Sequence, residues 1–287
     1  MKPAPFEYVK AVSVADAVAL LTEHRGDARL LAGGQSLVPM LNMRLLRPSV
    51  VIDVNGLADA LGEIALQGDA VAVGALVRYA EIERSSLVAE RVPLLRHVVA
   101  YIGDRQVRNR GTVGGAVAHA DPTGEIALVT LALGAIMRAE GPDGVRDIHA
   151  EAFFLGPYTT ALAPDEMLTH VIFPPAAPAF RFFERGRKHN DFAVLSLAVV
   201  GRPEPDGTWR DIRIALGGVH DRPVLAAAAA RALEGRRWDD ALVRDAALLA
   251  LEDCDPPDDF RASAEYRRHL VPVHVRRMLS ALAGGHE

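Results

Sequence analysis

Ala32-Gly33-Gly34-Gln35-Ser36 and Gly111-Thr112-Val113-Gly114-Gly115 decide how this chain is read. Each stretch follows a short apolar run and precedes either a helical pattern or a segment of small residues. A backbone free of side chains can turn its N–H groups toward one anion, and two such loops can grip a diphosphate from both sides. Gly33 and Gly34 tolerate positive φ, Gln35 and Ser36 add side-chain donors, and the helix that follows brings its positive end nearby. Taken alone, the first loop serves equally well as a tight β-to-α turn. The second loop tips the balance toward a nucleotide-like ligand. Thr112 can donate to phosphate, and Ala116-Val117-Ala118-His119-Ala120-Asp121-Pro122 continues in small residues broken only by His119 and Asp121. Neither loop matches the G-x-G-x-x-G fingerprint or the Walker pattern, which needs a Lys after its last glycine.

The bulk properties narrow the classes of function. A chain of 287 residues buries roughly three quarters of its unfolded surface and folds without covalent staples. Its 50% hydrophobic and 24% charged residues are those of an ordinary globular protein. The net charge of −5 argues against nucleic acid as a partner, since phosphate contacts need a clustered basic surface. No apolar run approaches the ~20 residues of a membrane span, and Met1-Lys2-Pro3-Ala4-Pro5-Phe6 lacks the core of a signal peptide, so a cytoplasmic location is expected. Cys254 is the only cysteine, which excludes an internal disulfide and an iron–sulfur cluster held by four Cys ligands.

Periodicity lays out an α+β chain. The first unit, about residues 1–56, reads β-α-β-α-β. Phe6-Glu7-Tyr8 forms a strand, and Ser13 caps a helix with Val14, Ala17, Val18 and Leu21 on one face and Gly26 as its stop. Arg29-Leu30-Leu31 feeds the first loop, Pro39 opens a helix to about Leu46, and Val50–Val54 is a strand closed by Asn55-Gly56. The second unit, about residues 57–173, carries hairpins around Gln67-Gly68-Asp69 and Gly141-Pro142-Asp143-Gly144 and helices near 93–101 and 125–133. Pro174-Pro175-Ala176-Ala177-Pro178 marks a boundary at 176/177. Beyond it, residues 177–287 show strand patterns near 180–184, 192–200 and 212–216. Helices follow near 224–233, 239–251 and 261–282, the last containing Pro272.

Other candidate chemistry is weak. His24, His97 and His149 have no metal-ligand spacing, and no strand–turn–helix nucleophile signature is present. Asp53, at a strand end, suits a turn better than a ribose contact, and Arg267, Arg268, Arg276 and Arg277 read as a solvated helix face or a partner surface.

Leu31-Ala32-Gly33-Gly34-Gln35-Ser36-Leu37-Val38-Pro39-Met40-Leu41-Asn42-Met43-Arg44, the second glycine loop and Ala118-His119-Ala120-Asp121-Pro122 resemble the FAD-binding medium subunit of molybdenum hydroxylases. That family includes the carbon monoxide dehydrogenase medium subunit and the flavin part of xanthine dehydrogenase. Arg187-Lys188-His189-Asn190-Asp191-Phe192-Ala193 and Ser263-Ala264-Glu265-Tyr266-Arg267-Arg268-His269-Leu270 resemble its C-terminal signatures, so the likeness covers almost the whole chain. It implies a two-part FAD-binding domain of the vanillyl-alcohol oxidase (PCMH) type over 1–176. A small C-terminal α/β domain, a three-stranded sheet plus helices, would follow over 177–287. It also implies non-covalent FAD with its diphosphate clasped by Ala32, Gly33, Gly34, Gln35, Ser36 and Leu37 on one side and Gly111, Thr112, Val113, Gly114 and Gly115 on the other. Ile102, Asp121, Glu125, Leu168, Lys188 and Phe192 complete the implied cofactor positions, with Arg185 as a further cationic neighbour; no residue is assigned a catalytic role. His119 is then a polar neighbour, not a point of covalent attachment. Two positions depart from the family pattern: Ala116 replaces a common Asn or Ser, and Glu184 and Arg185 compete for a basic position before Asp191.

The resemblance further implies an electron-relay subunit in a dimer of heterotrimers. The molybdenum cofactor would lie on a large partner subunit and iron–sulfur clusters on a small one, with quinone, NAD or oxygen as final acceptor. A free-standing FAD-dependent oxidase or reductase would need catalytic side chains converging on the flavin, and a non-catalytic nucleotide-binding module would be colourless. A bulky residue at Gly114 is expected to release FAD while leaving the fold largely intact.

Overall fold

Val50-Val51-Ile52-Asp53 is apolar and β-branched over its first three positions, a pattern that fits a strand buried on both faces. In the computed structural model, which describes residues 2–175, 177–188 and 191–284, Val50–Asp53 is the central strand of a parallel sheet between Glu7–Lys10 and Ala28–Leu31. The helix Val14–His24 covers it with Ala17, Val18 and Leu21. The Ser13 hydroxyl accepts from the Asp16 N–H at 3.0 Å, and Arg25 and Gly26 stop the helix in left-handed conformations. Because the strands run parallel, the loop after Leu31 and the turn after Asp53 leave the same edge, where open α/β sheets place ligands. The helix after the first loop is Leu37–Asn42, shorter than expected, with Pro39 in its first turn.

A five-stranded antiparallel sheet forms the second unit, in the order Ile64–Gln67, Ala70–Gly74, Met167–Phe173, Ile136–Gly141, Gly144–His149. Its central strand, Met167–Phe173, is almost wholly buried and so lacks the polar alternation that marks a strand in sequence. Val113–His119, expected only as a small-residue segment, is a helix whose lack of bulk lets it press against Ala75. Glu125–Ala132 is buried on every side beyond its first residue, because it lies between this unit and the C-terminal sheet.

The C-terminal sheet has four strands, ordered Ala179–Arg185, Leu195–Pro203, Trp209–Gly217, Val224–Leu225. The fourth corrects the expected count of three and shortens the helix expected from residue 224. Val224 pairs with Leu216 and the Ala226 N–H donates to Ile214, so the helix begins only at Ala227. One face of this sheet, with Leu195, Leu197 and Val199, packs on the helices Asp240–Leu249 and Ala264–Ala283. The other, with Ala198, Val200 and Ala215, joins the core of the second unit. Ala264–Ala283 runs through Pro272, a defect of about 3 kcal/mol that burial of Leu270, Val271, Val275 and Leu279 outweighs.

Arg267 overturns its reading as a solvated residue. It is 1% exposed; its guanidinium donates to the Val194 and Gly218 carbonyls at 2.7 Å and to both Asp259 carboxylate oxygens at 2.9 Å. Arg276 and Arg277 are exposed, as expected. Ala176 at the expected domain boundary, and His189 and Asn190 of the C-terminal signature, lie outside the described residues. Among the described residues no helix is long and apolar enough to cross a membrane.

Candidate cofactor site

The two glycine loops, nearly eighty positions apart in the chain, meet backbone to backbone. A Cβ on Gly33 would overlap the carbonyl oxygen of Arg110 and stand 3.0 Å from Cα of Gly111, and a Cβ on Gly115 would touch that of Ala32 at 4.0 Å. Gly34 takes φ +71°, which L side chains rarely adopt. Polar side chains lock the junction. Asn55 donates to the carbonyls of Leu31 (3.2 Å) and Ala32 (3.0 Å), and its own carbonyl accepts from Arg78 at 2.5 Å. Arg78 also donates to the carbonyl of Arg110. Asp53 serves the turn: it accepts from the Asn55 N–H at 2.9 Å and from the Tyr8 hydroxyl. Asn55 is visible in sequence only as a turn residue, and Arg78 carries no local signal.

The loops do different work. In the second, Gly111 N–H donates to Val107 (2.7 Å), Val113 to Val77 (3.0 Å), Gly114 to Ala75 (3.0 Å) and Gly115 to the Thr112 hydroxyl oxygen (3.1 Å). Thr112 is buried, at 2% exposed, and caps the helix Val113–His119. In the first, the backbone N–H groups from Gly33 to Leu37 find no acceptor among the described residues, and Ser36 is exposed with its hydroxyl free of any cap bond. Only the Gln35 side chain turns inward, donating to the Gly33 carbonyl at 3.1 Å. Unpartnered donors in a loop whose Gly33 and Gly34 carry no Cβ, beside an Arg78 that feels the charge of Arg110, fit the diphosphate of FAD.

The remaining positions are spread around the junction of the two sheet systems. Ile102 and Leu168 are buried in one shared core, so what they can offer a ligand is backbone and apolar surface. The Asp121 carboxylate accepts from the Thr123 N–H and hydroxyl, both at 2.8 Å. Glu125 opens its helix; burial, aided by the charge of Asp121, pushes its carboxyl up to about 7. Glu184 lies across the domain junction, and burial together with the charge of Glu125 pushes it up to about 8. Glu184 Oε2 and the Oγ of Ser196, its register partner on the next strand, are both buried without hydrogen-bond partners among the described residues. Strand alternation turns Arg185 the other way, where its charge reaches His274. Lys188 is exposed.

Phe192 is 55% exposed, and the Arg261 guanidinium lies 4.7 Å from its ring centroid and 4.5 Å from that of Phe260. His119 packs on Tyr158, centroids 5.0 Å apart. Tyr158 and the adjacent pair Phe260 and Arg261 escape any pattern in the sequence because they come from two segments about a hundred residues apart.

A family model for the FAD binding domain in molybdopterin dehydrogenase matches residues 4–176, and one for the CO dehydrogenase flavoprotein C-terminal domain matches residues 179–282. The chain is 36% identical to the glyceraldehyde dehydrogenase medium chain of Sulfolobus acidocaldarius, over 99% of this chain and 100% of that one. It is also 36% identical to the carbon monoxide dehydrogenase medium chain of Hydrogenophaga pseudoflava, over 98% of each. It superimposes on a chain in the structure of carbon monoxide dehydrogenase from Hydrogenophaga pseudoflava with a TM-score of 0.96 and 38% identity, covering 99% of both. It matches a chain of quinoline 2-oxidoreductase from Pseudomonas putida 86 with a TM-score of 0.93 and 35% identity, again over 99% of both. The chain belongs to the family of FAD-binding medium subunits of molybdenum hydroxylases, and is an FAD-dependent oxidoreductase subunit.

Proposed function

We propose that this chain is the flavin station of a multi-subunit molybdenum hydroxylase. It would pass electrons from iron–sulfur clusters on a small partner subunit to an external acceptor (quinone, NAD or oxygen), while a large molybdopterin subunit oxidises the substrate in a dimer of heterotrimers. Bound FAD supplies the capacity to take electrons singly and release them as a pair. The chain's own residues bind and orient. The N–H groups from Gly33 to Leu37 face the diphosphate. The second loop, with the N–H groups of Gly111, Val113, Gly114 and Gly115 already engaged, braces the first, and Asn55 and Arg78 keep the two from parting. Ile102 and Leu168 would offer it apolar surface and backbone, and Glu125, Lys188 and Phe192 would hold its remainder. The observation that carries this reading is the run of unpartnered N–H groups pressed against the second loop.

Cys254 is buried, and burial chiefly pushes its thiol up to about 12, so it is a poor nucleophile and is assigned no role. Co-purification with the partner chains tests the proposal. Substrate should bleach the flavin in the assembled complex and leave it oxidised in the lone chain. Substrate turnover by the lone chain would instead make it a free-standing oxidase.

A further inference from the structure

The helix Val113–His119 leads away from the second loop, and seven residues carry the chain about 10 Å. At its far end His119 packs on Tyr158, whose phenol is raised by burial and by Asp121 and drawn the other way by Arg261. Arg261 lies between Phe192 and Phe260. Tyr158, Phe192 and Phe260 are 55%, 55% and 78% exposed, an unusual display of large aromatic surface for one neighbourhood. A planar ring system laid there would cover it.

Arg261 is held in place. Its N–H and that of Ala262 donate to Asp259 at 2.8 and 3.0 Å, and Asp259 is itself fixed by the buried Arg267. Arg267 also binds the carbonyl of Val194, so one guanidinium anchors both the segment carrying Phe192 and the loop carrying Arg261. The Asp259 carboxylate, bidentate to Arg267, approaches the Arg261 guanidinium no closer than 3.9 Å. Arg261 Nε is buried without a hydrogen-bond partner among the described residues. A rigid cation with an unused donor and only distant compensation is poised to meet a ligand acceptor. Lys188, by contrast, is exposed, and the charge of Arg185 reaches His274 on the other face of the strand.

We infer that Arg261, clasped between Phe192 and Phe260, is the cation against which the flavin ring is seated in this chain, and that it favours the reduced cofactor over the oxidised one. The inference rests on the loops holding the diphosphate, from which the aromatic cluster is one short helix away. Charge close to a flavin ring tunes the cofactor's electronics, and reduction adds negative charge to that ring.

The test is a dye-linked reductive titration of the FAD-loaded protein. Arg261→Gln should keep its flavin but lower the equilibrium constant for two-electron reduction about tenfold, about 30 mV for such a couple. Arg261→Lys, which keeps the charge, should stay within about threefold, or about 15 mV, of the parent. An unchanged potential in Arg261→Gln overturns the inference, and so does an equal shift in Lys188→Gln. Loss of FAD from both Arg261 variants also overturns it, because the residue would then be structural. The loop reading fails separately: a Gly33→Val protein that keeps its full flavin content would refute that reading whatever Arg261 does.

Discussion

Gly33 and the carbonyl of Arg110 are packed so closely that no side chain can stand between them. The two loops of the proposed diphosphate clasp therefore meet through bare backbone at this point. Gly33→Ala should push the loops apart at an overpacking cost of about 1–3 kcal/mol. FAD affinity should fall about tenfold or more, read as flavin release by fluorescence, and an unchanged affinity would contradict the clasp.

Gly114 differs, and the expectation that a bulky residue there would spare the fold is corrected. A Cβ at Gly114 would lie 2.6 Å from Cα of Ala75, inside the core beneath the loop. Gly114→Val should destabilise the protein without its cofactor by about 1–3 kcal/mol, with flavin loss as a consequence. Thermal unfolding of the apoprotein checks this; an unchanged midpoint would contradict the packing.

Asn55 joins the first loop to Arg78, and through it to the second. Asn55→Ala leaves the Leu31 and Ala32 carbonyls and the Arg78 guanidinium short of a partner, a loss of about 1–3 kcal/mol. Apoprotein stability should fall by that amount, and equilibrium dialysis should show weaker FAD binding with an unchanged stoichiometry.

Glu125 and Glu184 titrate near 7 and 8 in the folded chain, well above their ordinary value of 4.5. Between that ordinary value and about 8 the folded chain binds more protons than the unfolded one, so these groups make stability fall as pH rises. Below that window they contribute no slope. Unfolding midpoints of the apoprotein should therefore decline from about pH 5 to about pH 8, and less steeply in Glu184→Gln. A parallel decline in both proteins would show that Glu184 is not held protonated.

Arg267→Met fills similar volume but strands the Val194 and Gly218 carbonyls and the Asp259 carboxylate. Breaking a buried ionic contact of this kind costs about 3 kcal/mol or more, and denaturant unfolding measures it.

Local rules reached far into this chain. The cap at Ser13, the stop at Gly26, the hairpins around Gly68 and Gly144 and both glycine loops stand where short-range patterning puts them, because capping, turns and amphipathic faces depend on neighbours a few residues apart. Met167–Phe173 and the strand Val224–Leu225 did not announce themselves: the first is buried too evenly to alternate, and the second owes its pairing to Ala215 and Leu216. Arg267 shows the same limit, since a charged residue on a helix looks solvated until the segments that bury it are in place.

The amino-acid sequence by itself determined the family, the two glycine loops and the order of the elements, because each is written in contiguous residues. Tertiary structure alone decided that the first loop keeps its N–H groups free while the second spends four of its five on the scaffold. It also decided that Asn55 and Arg78 join the loops, and that the charge of Glu125 reaches Glu184 across the domain junction. Those relationships link segments far apart along the chain, and hydrogen bonding, burial and charge between such segments exist only once packing has brought them together.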